Sequence, residues 1–572
     1  MQLQYGLVPA DRGQGIVDIL LVLALYLLFW QHGKTEIAAP VRKRALALAV
    51  VFTLVTSVCG EWLTIMRYEH TTNIPLQLLY YTNAFAGTFL LYNAALALLL
   101  QKLAALPDAG SLADRTPVSP RKAFWICFFC CWGVYFLFLL NQYPGSMESD
   151  HMRQLQHLLD GYYENRNPLV NSILVFGCVQ LVRILGGSMN AGVFLYSLVQ
   201  MTLVCATFAY AASLIARAGF SRKAVVLTVL FYALVPYNIF YSYGMWKDTF
   251  FAAWMLLSVL KVWGILQKSR DSSPVPAGDW VLLFAFTLLA SLSRNSGWSA
   301  LLIWVPCIFC MLRALAPLRK KLSLILAGGV AAALFIMGPI FSALGVDKTA
   351  DSITAACIPL QQVGAVLCAD KELTPQQQAL IDQVVDVDAV KQQFDPACAD
   401  PMKDLLYPSI AALDANLSDY VRLWVQLGLK YPMTYLRAYR DHLKMYFDPS
   451  TSSEVVYKWI YPNIFDVSRD SKLLPQLDFG YYENILELPA VNLLKRPGAV
   501  LWAMLLLWQV CALRKNRGMR LLYIPLLAIF GGLFLTAPVA LLRYVYTVMA
   551  AIPLLVCWPF WRLQPKLTDP KA

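Results

Sequence analysis

The stretch that decides the fold is residues 521–560, LLYIPLLAIFGGLFLTAPVALLRYVYTVMAAIPLLVCWPF, in which Arg543 is the only charged residue. A helix that crosses the hydrocarbon core of a bilayer needs about 20 apolar residues, so this stretch predicts two membrane crossings in succession. The single cation falls at the corner between them, in Leu542-Arg543-Tyr544. We therefore expect a membrane protein with a positive charge held at the end of two helices.

The whole chain has the same character. Its 572 residues are 58% hydrophobic and 14% charged, whereas soluble domains average about 45–50% apolar and about 25% charged residues. The net charge of +12 comes from short basic clusters at the ends of apolar runs. This is the positive-inside pattern of membrane proteins and not the basic surface of a nucleic-acid-binding protein. This composition excludes a soluble enzyme, a disordered tail protein and a protein with a single anchor.

The hydropathy pattern predicts an all-α polytopic membrane protein with about 13 crossings. We place them at 15–31, 44–66, 77–101, 123–141, 191–215, 224–243, 248–267, 279–293, 298–313, 322–343, 498–513, 521–541 and 544–561. The apolar run 169–185 is short, carries Asn171, Gln180 and Arg183, and ends at Gly186-Gly187. We interpret it as a re-entrant or surface helix; an ordinary crossing with a miscounted neighbour is the alternative.

The basic clusters then set the orientation, because they all fall on one side if the N-terminus is outside. These clusters are Arg42 to Arg44, Arg115 with Arg121 and Lys122, Arg217 with Arg222 and Lys223, Lys268 with Arg270, Arg319 to Lys321, and Arg514 with Lys515, Arg517 and Arg520. The other face, called the outer face below, receives the large polar regions. Four parts follow: N-terminal helices 1–122, a membrane core 123–343 with a first outer loop at 142–168, an outer domain 344–497, and C-terminal helices 498–572.

The outer domain is predicted to be small and mainly helical. Thr374-Pro375 has the residue types of a helix start, with Thr374 as N-cap and Pro375 in the first helical position. A second helical stretch covers about 418–447 and is interrupted by Pro432. Cys357, Cys368 and Cys398 are the only cysteines of this domain, and two hypotheses stay open: a Cys368–Cys398 disulfide, or three buried thiols.

The first outer loop concentrates candidate catalytic groups, since Glu148, Asp150 and His151 stand where a crossing ends. In an extended loop the two carboxylates would point to the same side and share a cation or divide the roles of base and orienting group. A structural alternative is equally open: Asp150 caps a helix that begins near Met152.

Three outer corners carry further charges. Lys247 and Asp248 lie at the start of an apolar run, where burying a carboxylate costs free energy unless it is paired or hydrated. The plain explanation is that Asp248 pairs with its neighbour Lys247. Arg294 lies between two crossings, and its plain explanation is a side chain that reaches a lipid phosphate. Together with Arg543, these residues suit transfer from a lipid-linked phosphate, because arginines bind a phosphate bidentately while a carboxylate accepts the proton of an attacking hydroxyl.

The order of these elements resembles the integral-membrane glycosyltransferases of the GT-C fold, in what looks like an uncharacterised bacterial branch. The resemblance covers about 124–560. It is carried by Pro144, Gly145, Asp150, Gln154, Gly161, Pro168, Lys247, Asp248, Arg294, Arg543 and Tyr544. Many relatives have His-Pro where this chain has Asn167-Pro168, and the first three crossings have no counterpart in the shared core.

The resemblance implies an enzyme of the bacterial plasma membrane that transfers a sugar from a polyprenyl-phosphate-linked donor to a glycan, lipid or protein, with inversion. Asp150 would be the catalytic base, with Asp248 and Glu148 as further catalytic carboxylates. Arg294, Arg543, Tyr544 and Lys247 would bind the donor phosphate. His151, Gln154, Asn167 and Asn295 would bind substrate.

No cofactor is assigned with certainty. Asp150 and Asp248 are candidate ligands of a divalent cation, Mg²⁺ or Mn²⁺, and membrane lipid is an expected partner, whereas nucleic acid is not. Two alternative functions stay open: a glycan polymerase or ligase, which shares donor and side, and a flippase or other transporter of lipid-linked oligosaccharide. A transporter typically carries charges near the bilayer midplane and repeated halves. This chain has its charges at the outer ends of helices and shows no repeat, which favours the enzyme.

Overall fold

The helices of the chain follow its apolar runs, as seen in a computed structural model. The structure describes residues 14–59, 74–109, 118–165, 167–347, 353, 355–455, 460–474, 484–485 and 487–562. Within these residues regular structure is helical, and only isolated β-bridges occur. Residues 60–66 of the predicted crossing at 44–66 lie outside the described residues. The same is true of Arg115, which belongs to the basic cluster near 121.

The helices before the outer domain include one or two at each predicted crossing, and two more at Ser149–Leu159 and Leu169–Ile184. They are α1 (Gln14–Lys34), α2 (Ala39–Cys59), α3 (Ile74–Ala105), α4 (Pro120–Asn141), α5 (Ser149–Leu159), α6 (Leu169–Ile184), α7 (Met189–Arg217), α8 (Arg222–Leu234), α9 (Pro236–Tyr243), α10 (Lys247–Arg270), α11 (Ala277–Leu292), α12 (Gly297–Met311) and α13 (Ala316–Phe335). A π-helical turn and one last α-helical turn extend α13 to Ala343.

The outer domain and the C-terminal part are also helical. They contain α14 (Cys357–Cys368), α15 (Pro375–Asp382), α16 (Val387–Gln393), α17 (Asp400–Leu406), α18 (Ile410–Ala415), α19 (Leu417–Lys430), α20 (Pro432–Phe447), α21 (Pro489–Leu494), α22 (Pro497–Leu513), α23 (Arg517–Thr536), α24 (Tyr546–Ala550) and α25 (Ile552–Cys557). Short 3₁₀ turns cover Tyr407–Ser409, Leu542–Val545 and Trp558–Phe560.

Length and composition identify the helices able to cross a membrane. Among the described residues six helices are long and apolar enough, or eight if each bent pair is one span. The bent pairs are α8 with α9, at 51°, and the 542–560 segment, at 42°. Pro236 at the first position of α9 explains the first bend, because proline has no backbone N–H to donate a hydrogen bond to a carbonyl of the preceding helical turn. The chain is thus a helical multi-pass membrane protein, while the count of 13 and the path of 169–185 stay predictions.

Helix α10 lies at the centre of the bundle. It is apolar on every side, and nearly all of its side chains are buried. The main core cluster surrounds it with residues of α4, α7, α12, α23 and the 542–560 segment. Helices α2 and α3 form a separate cluster against α22, where Phe52 stacks on Trp502 at 3.9 Å. The first residues of α10, Lys247 and Asp248, are therefore surrounded by other helices.

The outer domain confirms the predicted helix signals. Thr374 caps α15 with its hydroxyl on the Gln377 N–H, and Pro375 is the first helical residue. The second stretch is a pair of helices, α19 and α20, that meet at Tyr431-Pro432. Cys357, Cys368 and Cys398 are all free thiols in the structure, so the favoured Cys368–Cys398 disulfide is not formed.

Candidate active site at the outer ends of the helices

Two outer corners of the chain are joined through their backbones. Ser146 and Gly244 form a parallel bridge, and the Met245 N–H donates to the Ser146 carbonyl at 3.3 Å. The approach depends on Gly145, which has φ +123°, and a Cβ there would lie 2.5 Å from the Ser197 Oγ. Only glycine adopts this conformation readily. The Pro144-Gly145 motif thus allows the first outer loop to pack against the start of α10.

Asp150 faces Lys247 across this junction. Helix α5 begins at Ser149 with Glu148 as its N-cap. Asp150 is therefore in the first helical turn, and neither the extended geometry nor the capping role expected for it is present. Its Oδ2 lies 3.7 Å from the Lys247 Nζ, and its side chain is 35% exposed. Lys247 also donates to the Asn167 Oδ1, so this lysine ties the start of α10 to both ends of the first outer loop.

Asp248 has a different partner from the one expected from sequence. Its side chain is only 2% exposed, and its Oδ1 lies 3.3 Å from the Arg294 Nη1. The same Arg294 nitrogen donates to the Tyr544 carbonyl at 3.2 Å, and the guanidinium lies over the Tyr544 ring at 4.9 Å. Arg294 is thus held inside the protein by Asp248 and Tyr544. The two acids of the site belong to two separate ion pairs.

Arg543 carries the unused hydrogen-bond donors of the site. Its guanidinium stacks on the Trp246 ring at 4.0 Å, and its Nη2 donates to the Tyr544 hydroxyl at 3.1 Å. Within the part of the chain that the structure describes, no acceptor reaches its Nε or Nη1, although both atoms are buried. Buried donors are nearly always satisfied. Two donors of this fixed guanidinium are nevertheless unused among the described residues.

His151 and Glu148 lie close to the charged side chains of Asp150 and Arg543. The His151 Nδ1 accepts the Glu148 backbone N–H at 3.2 Å, and its ring meets Trp246 edge-on at 5.2 Å. Burial lowers the pKa of His151 to about 3, although Asp150 opposes the shift. The imidazole is therefore neutral, and since Nδ1 accepts, its proton is on Nε2. Burial raises the pKa of Glu148 to about 7, against the opposing charge of Arg543, so Glu148 is protonated in part at neutral pH.

The remaining predicted substrate-binding residues divide into two kinds. Gln154 is buried, and its Nε2 and Oε1 have no hydrogen-bond partner among the described residues. Asn295 donates to the Asn165 carbonyl at 2.7 Å, and Asn167 accepts from Lys247. Gln154 thus has unused polar atoms, whereas Asn295 and the Asn167 Oδ1 join the corners of the site to one another.

The segment 460–474 packs against the first outer loop, and no sequence signal indicated this contact. The Tyr461 N–H donates to the Met147 carbonyl at 3.2 Å, and the Asp470 N–H donates to the Tyr143 carbonyl at 3.0 Å. Arg469 donates to the Gln142 carbonyl at 3.3 Å. These contacts are made by backbone groups and one arginine, so no hydropathy pattern marks them. Trp246, which supports both Arg543 and His151, was likewise not identified from sequence.

A second unforeseen contact joins the outer domain to the chain before Arg543. On α20, the His442 Nε2 donates to the Ala537 carbonyl at 2.7 Å. The Tyr446 hydroxyl donates to the Leu541 carbonyl and accepts the Leu541 N–H, each at 3.1 Å. The Ser453 hydroxyl accepts the Leu542 N–H at 2.9 Å. Residues 537–545, called the arginine segment below, are thus held by side chains of the outer domain.

The residues present are a weak match for a metal ion held by protein ligands alone. Among the described residues no three His, Cys, Asp or Glu side chains lie close enough to form such a site. Asp150 and Asp248 face Lys247 and Arg294 instead, and a divalent cation would compete with these two positive charges. Mg²⁺ is often bound by one or two carboxylates together with substrate phosphates. A divalent cation held by Asp150 and Asp248 stays a prediction.

The chain belongs to a family of unknown function, DUF6020, whose sequence profile matches residues 158–571. The matched part includes Lys247, Asp248, Arg294 and Arg543 and begins after Glu148 and Asp150. No curated protein and no solved structure matches the chain.

Proposed function

We propose that this protein is a membrane glycosyltransferase that transfers a sugar from a polyprenyl-phosphate-linked donor to an acceptor hydroxyl at the outer face. The observation that carries the proposal is Arg543, which has two buried nitrogens without an acceptor among the described residues and shares a site with the partly exposed carboxylate of Asp150. A buried fixed cation suits a phosphate, and a carboxylate open to solvent suits a proton acceptor.

The reaction balances with the groups at hand. Asp150 takes the proton of the acceptor hydroxyl, and the oxygen attacks the anomeric carbon of the sugar. The bond from that carbon to the phosphate oxygen breaks, and the polyprenyl phosphate leaves with the electron pair. Arg543 stabilises the negative charge that grows on the phosphate, and it does so from a fixed position, which avoids the cost of reorienting solvent.

The two ion pairs have separate parts in this mechanism. Lys247, 3.7 Å from Asp150, orients that carboxylate. Asp248 neutralises and fixes Arg294, which in turn holds the Tyr544 carbonyl and ring beside Arg543. Asp248 is enclosed too fully to reach an acceptor, so it orients the cations while Asp150 accepts the proton.

The experiment that tests the proposal supplies purified protein in lipid nanodiscs with a panel of polyprenyl-phosphate sugars. Mass spectrometry then measures the free polyprenyl phosphate released and the acceptors modified. We expect release with at least one donor, and we expect Asp150→Asn to lack it. Transport of intact donor across proteoliposomes without release would favour the flippase alternative and contradict the proposal. Products of increasing length would identify a polymerase with the same donor chemistry.

A further inference from the structure

The outer domain exposes a continuous apolar stripe along α19 and the start of α20. Leu417, Val421, Val425 and Leu429 follow one another at intervals of four residues, and Met433 and Leu436 continue the series past Pro432. Leu429 is 80% exposed and Met433 is 60% exposed. Residues four apart lie on one face of a helix. Four large apolar side chains therefore follow one side of α19, and two more, Met433 and Leu436, are exposed just after the break at the start of α20.

The outer domain does not need this stripe for its own core. Leu423 and Leu427 occupy the other apolar face of α19 and pack in a cluster with Val366 and Tyr435. On the remaining side, Ser418, Asp419 and Gln426 are exposed and polar. The apolar part of α19 is thus wider than its contacts inside the domain require. An exposed apolar patch of this kind marks a binding surface for a protein or a membrane.

The orientation of α20 shows which side of the domain the stripe faces. Leu436, Tyr439, Leu443 and Phe447 lie on one face of this helix, at intervals of three or four residues. Tyr439 donates to the Phe534 carbonyl at 2.8 Å, and the Phe447 ring lies 5.1 Å from the Phe534 ring. Phe534 belongs to the last turn of α23, a helix long and apolar enough to cross a membrane. Leu436 therefore points towards the membrane part of the protein.

The surroundings of the stripe match a lipid surface. Leu535, beside Phe534 at the outer end of α23, is 73% exposed, as expected for a side chain that faces lipid. Arg422 and Arg437 are exposed next to the stripe. A helix that lies in a membrane interface combines an apolar face with basic residues at its border, where they meet lipid phosphates.

We infer that α19 and the first turn of α20 lie in the headgroup region of the outer leaflet, with the six apolar side chains inserted among the lipid chains. The outer domain is then anchored to the membrane at a second place, in addition to its covalent links at 344 and 497. This inference is independent of the glycosyltransferase proposal, since it uses only the exposed surface and the membrane helices.

The test places a benzophenone amino acid at single positions of the full-length protein in nanodiscs made of phosphatidylglycerol and phosphatidylcholine. Val421 and Leu429 are the test positions. Asp419, on the opposite face of α19, is the matched negative control, and Leu535 is the positive control for contact with lipid. After irradiation, mass spectrometry identifies lipid adducts.

We expect lipid adducts from Val421, Leu429 and Leu535 and none from Asp419. Three outcomes would overturn the inference. The first is a lipid adduct at Leu535 with none at Val421 and Leu429. The second is equal labelling at Asp419 and Val421, and the third is a crosslink from Leu429 to a second copy of the chain or to another protein. Because the probes are at exposed positions, the fold is expected to tolerate them, and the melting temperature of each variant checks this.

Discussion

The first outer loop and the arginine segment supply the two halves of the candidate site, and the chain fixes them in different ways. In the loop, the position of Asp150 follows from its immediate neighbours, because Glu148 caps α5 and the His151 ring accepts the Glu148 N–H. In the arginine segment, the backbone is held by Tyr446, 95 residues before Leu541. The carboxylate is thus placed by local structure and the cation by the tertiary fold.

The largest effect should come from the loop half. Asp150→Asn keeps size and hydrogen bonding but removes the proton acceptor, so turnover should fall by about 10²–10⁴ while donor binding survives. Rates and donor affinities measured on the same preparation check this. Asp160→Asn is the matched control, since Asp160 ends α5 and is bonded by Gln156 at 2.8 Å. Near-normal transfer by well-folded Asp150→Asn would move the base to Glu148.

The arginine segment should respond in the opposite way. Arg543→Ala should weaken donor binding about tenfold to a hundredfold, because a charge-assisted hydrogen bond contributes about 1.5–3 kcal/mol. Arg543→Lys should restore only part of the loss, since an ammonium cannot reproduce the planar fork. Binding of the lipid-linked sugar in nanodiscs is the measurement, and Arg313→Ala, an exposed arginine between α12 and α13, is the control. Equal affinities for wild type and Arg543→Ala would show that Arg543 does not bind the donor phosphate.

The dependence of protein stability on pH should test the protonation of Glu148 in the first outer loop. The pKa of Glu148 is raised to about 7 from an ordinary value of 4.5. In the unfolded chain the carboxyl ionises near pH 4.5, whereas in the folded protein it stays neutral until about pH 7. The stability that neutral Glu148 contributes is therefore present at low pH and is lost as the pH rises through this window.

The free energy of unfolding of wild type, relative to Glu148→Gln, should thus fall by about 3 kcal/mol between pH 4.5 and 7 and stay level above it. Thermal unfolding of both proteins in the same detergent measures this difference. The titration of His151 is common to both and cancels. A constant difference across the window would show that the Glu148 carboxyl is solvated.

The smallest effect is expected from the hydrogen bonds that join the outer domain to the arginine segment. Tyr446→Phe removes two hydrogen bonds to Leu541 and leaves the ring, at about 1 kcal/mol for each bond. Amide hydrogen exchange over 537–545 should become faster, and donor affinity should fall several-fold. Tyr439→Phe, on the same helix, removes one bond to Phe534 and should change neither. Unchanged exchange in Tyr446→Phe would mean that the segment keeps its position without α20.

Much of the fold could be predicted because its signals are local. Apolar runs gave the helices, Pro432 gave the break between α19 and α20, and Thr374-Pro375 gave the start of α15. The candidate site was predicted as a set of charges at one end of the bundle, and the structure brings Asp150, Lys247, Asp248, Arg294 and Arg543 together there.

The pairing within that set could not be read from the chain. Lys247 and Asp248 are neighbours in sequence, yet they extend from α10 in different directions, one to Asp150 and the other to Arg294. Which acid is open and which is enclosed depends on the helices around the start of α10. The same holds for the arginine segment, whose partners come from a helix in another part of the chain.

The sequence by itself determined that this chain is a multi-pass helical membrane protein with its unusual charges at the ends of apolar runs, because hydrophobic runs and helix signals act over a few residues. Only the tertiary structure decided which charges meet, which nitrogens of Arg543 lack a partner and which face of α19 is left exposed. These features depend on distances between helices that are far apart in sequence, and a few ångströms there decide whether a buried charge is paired or free to bind a ligand.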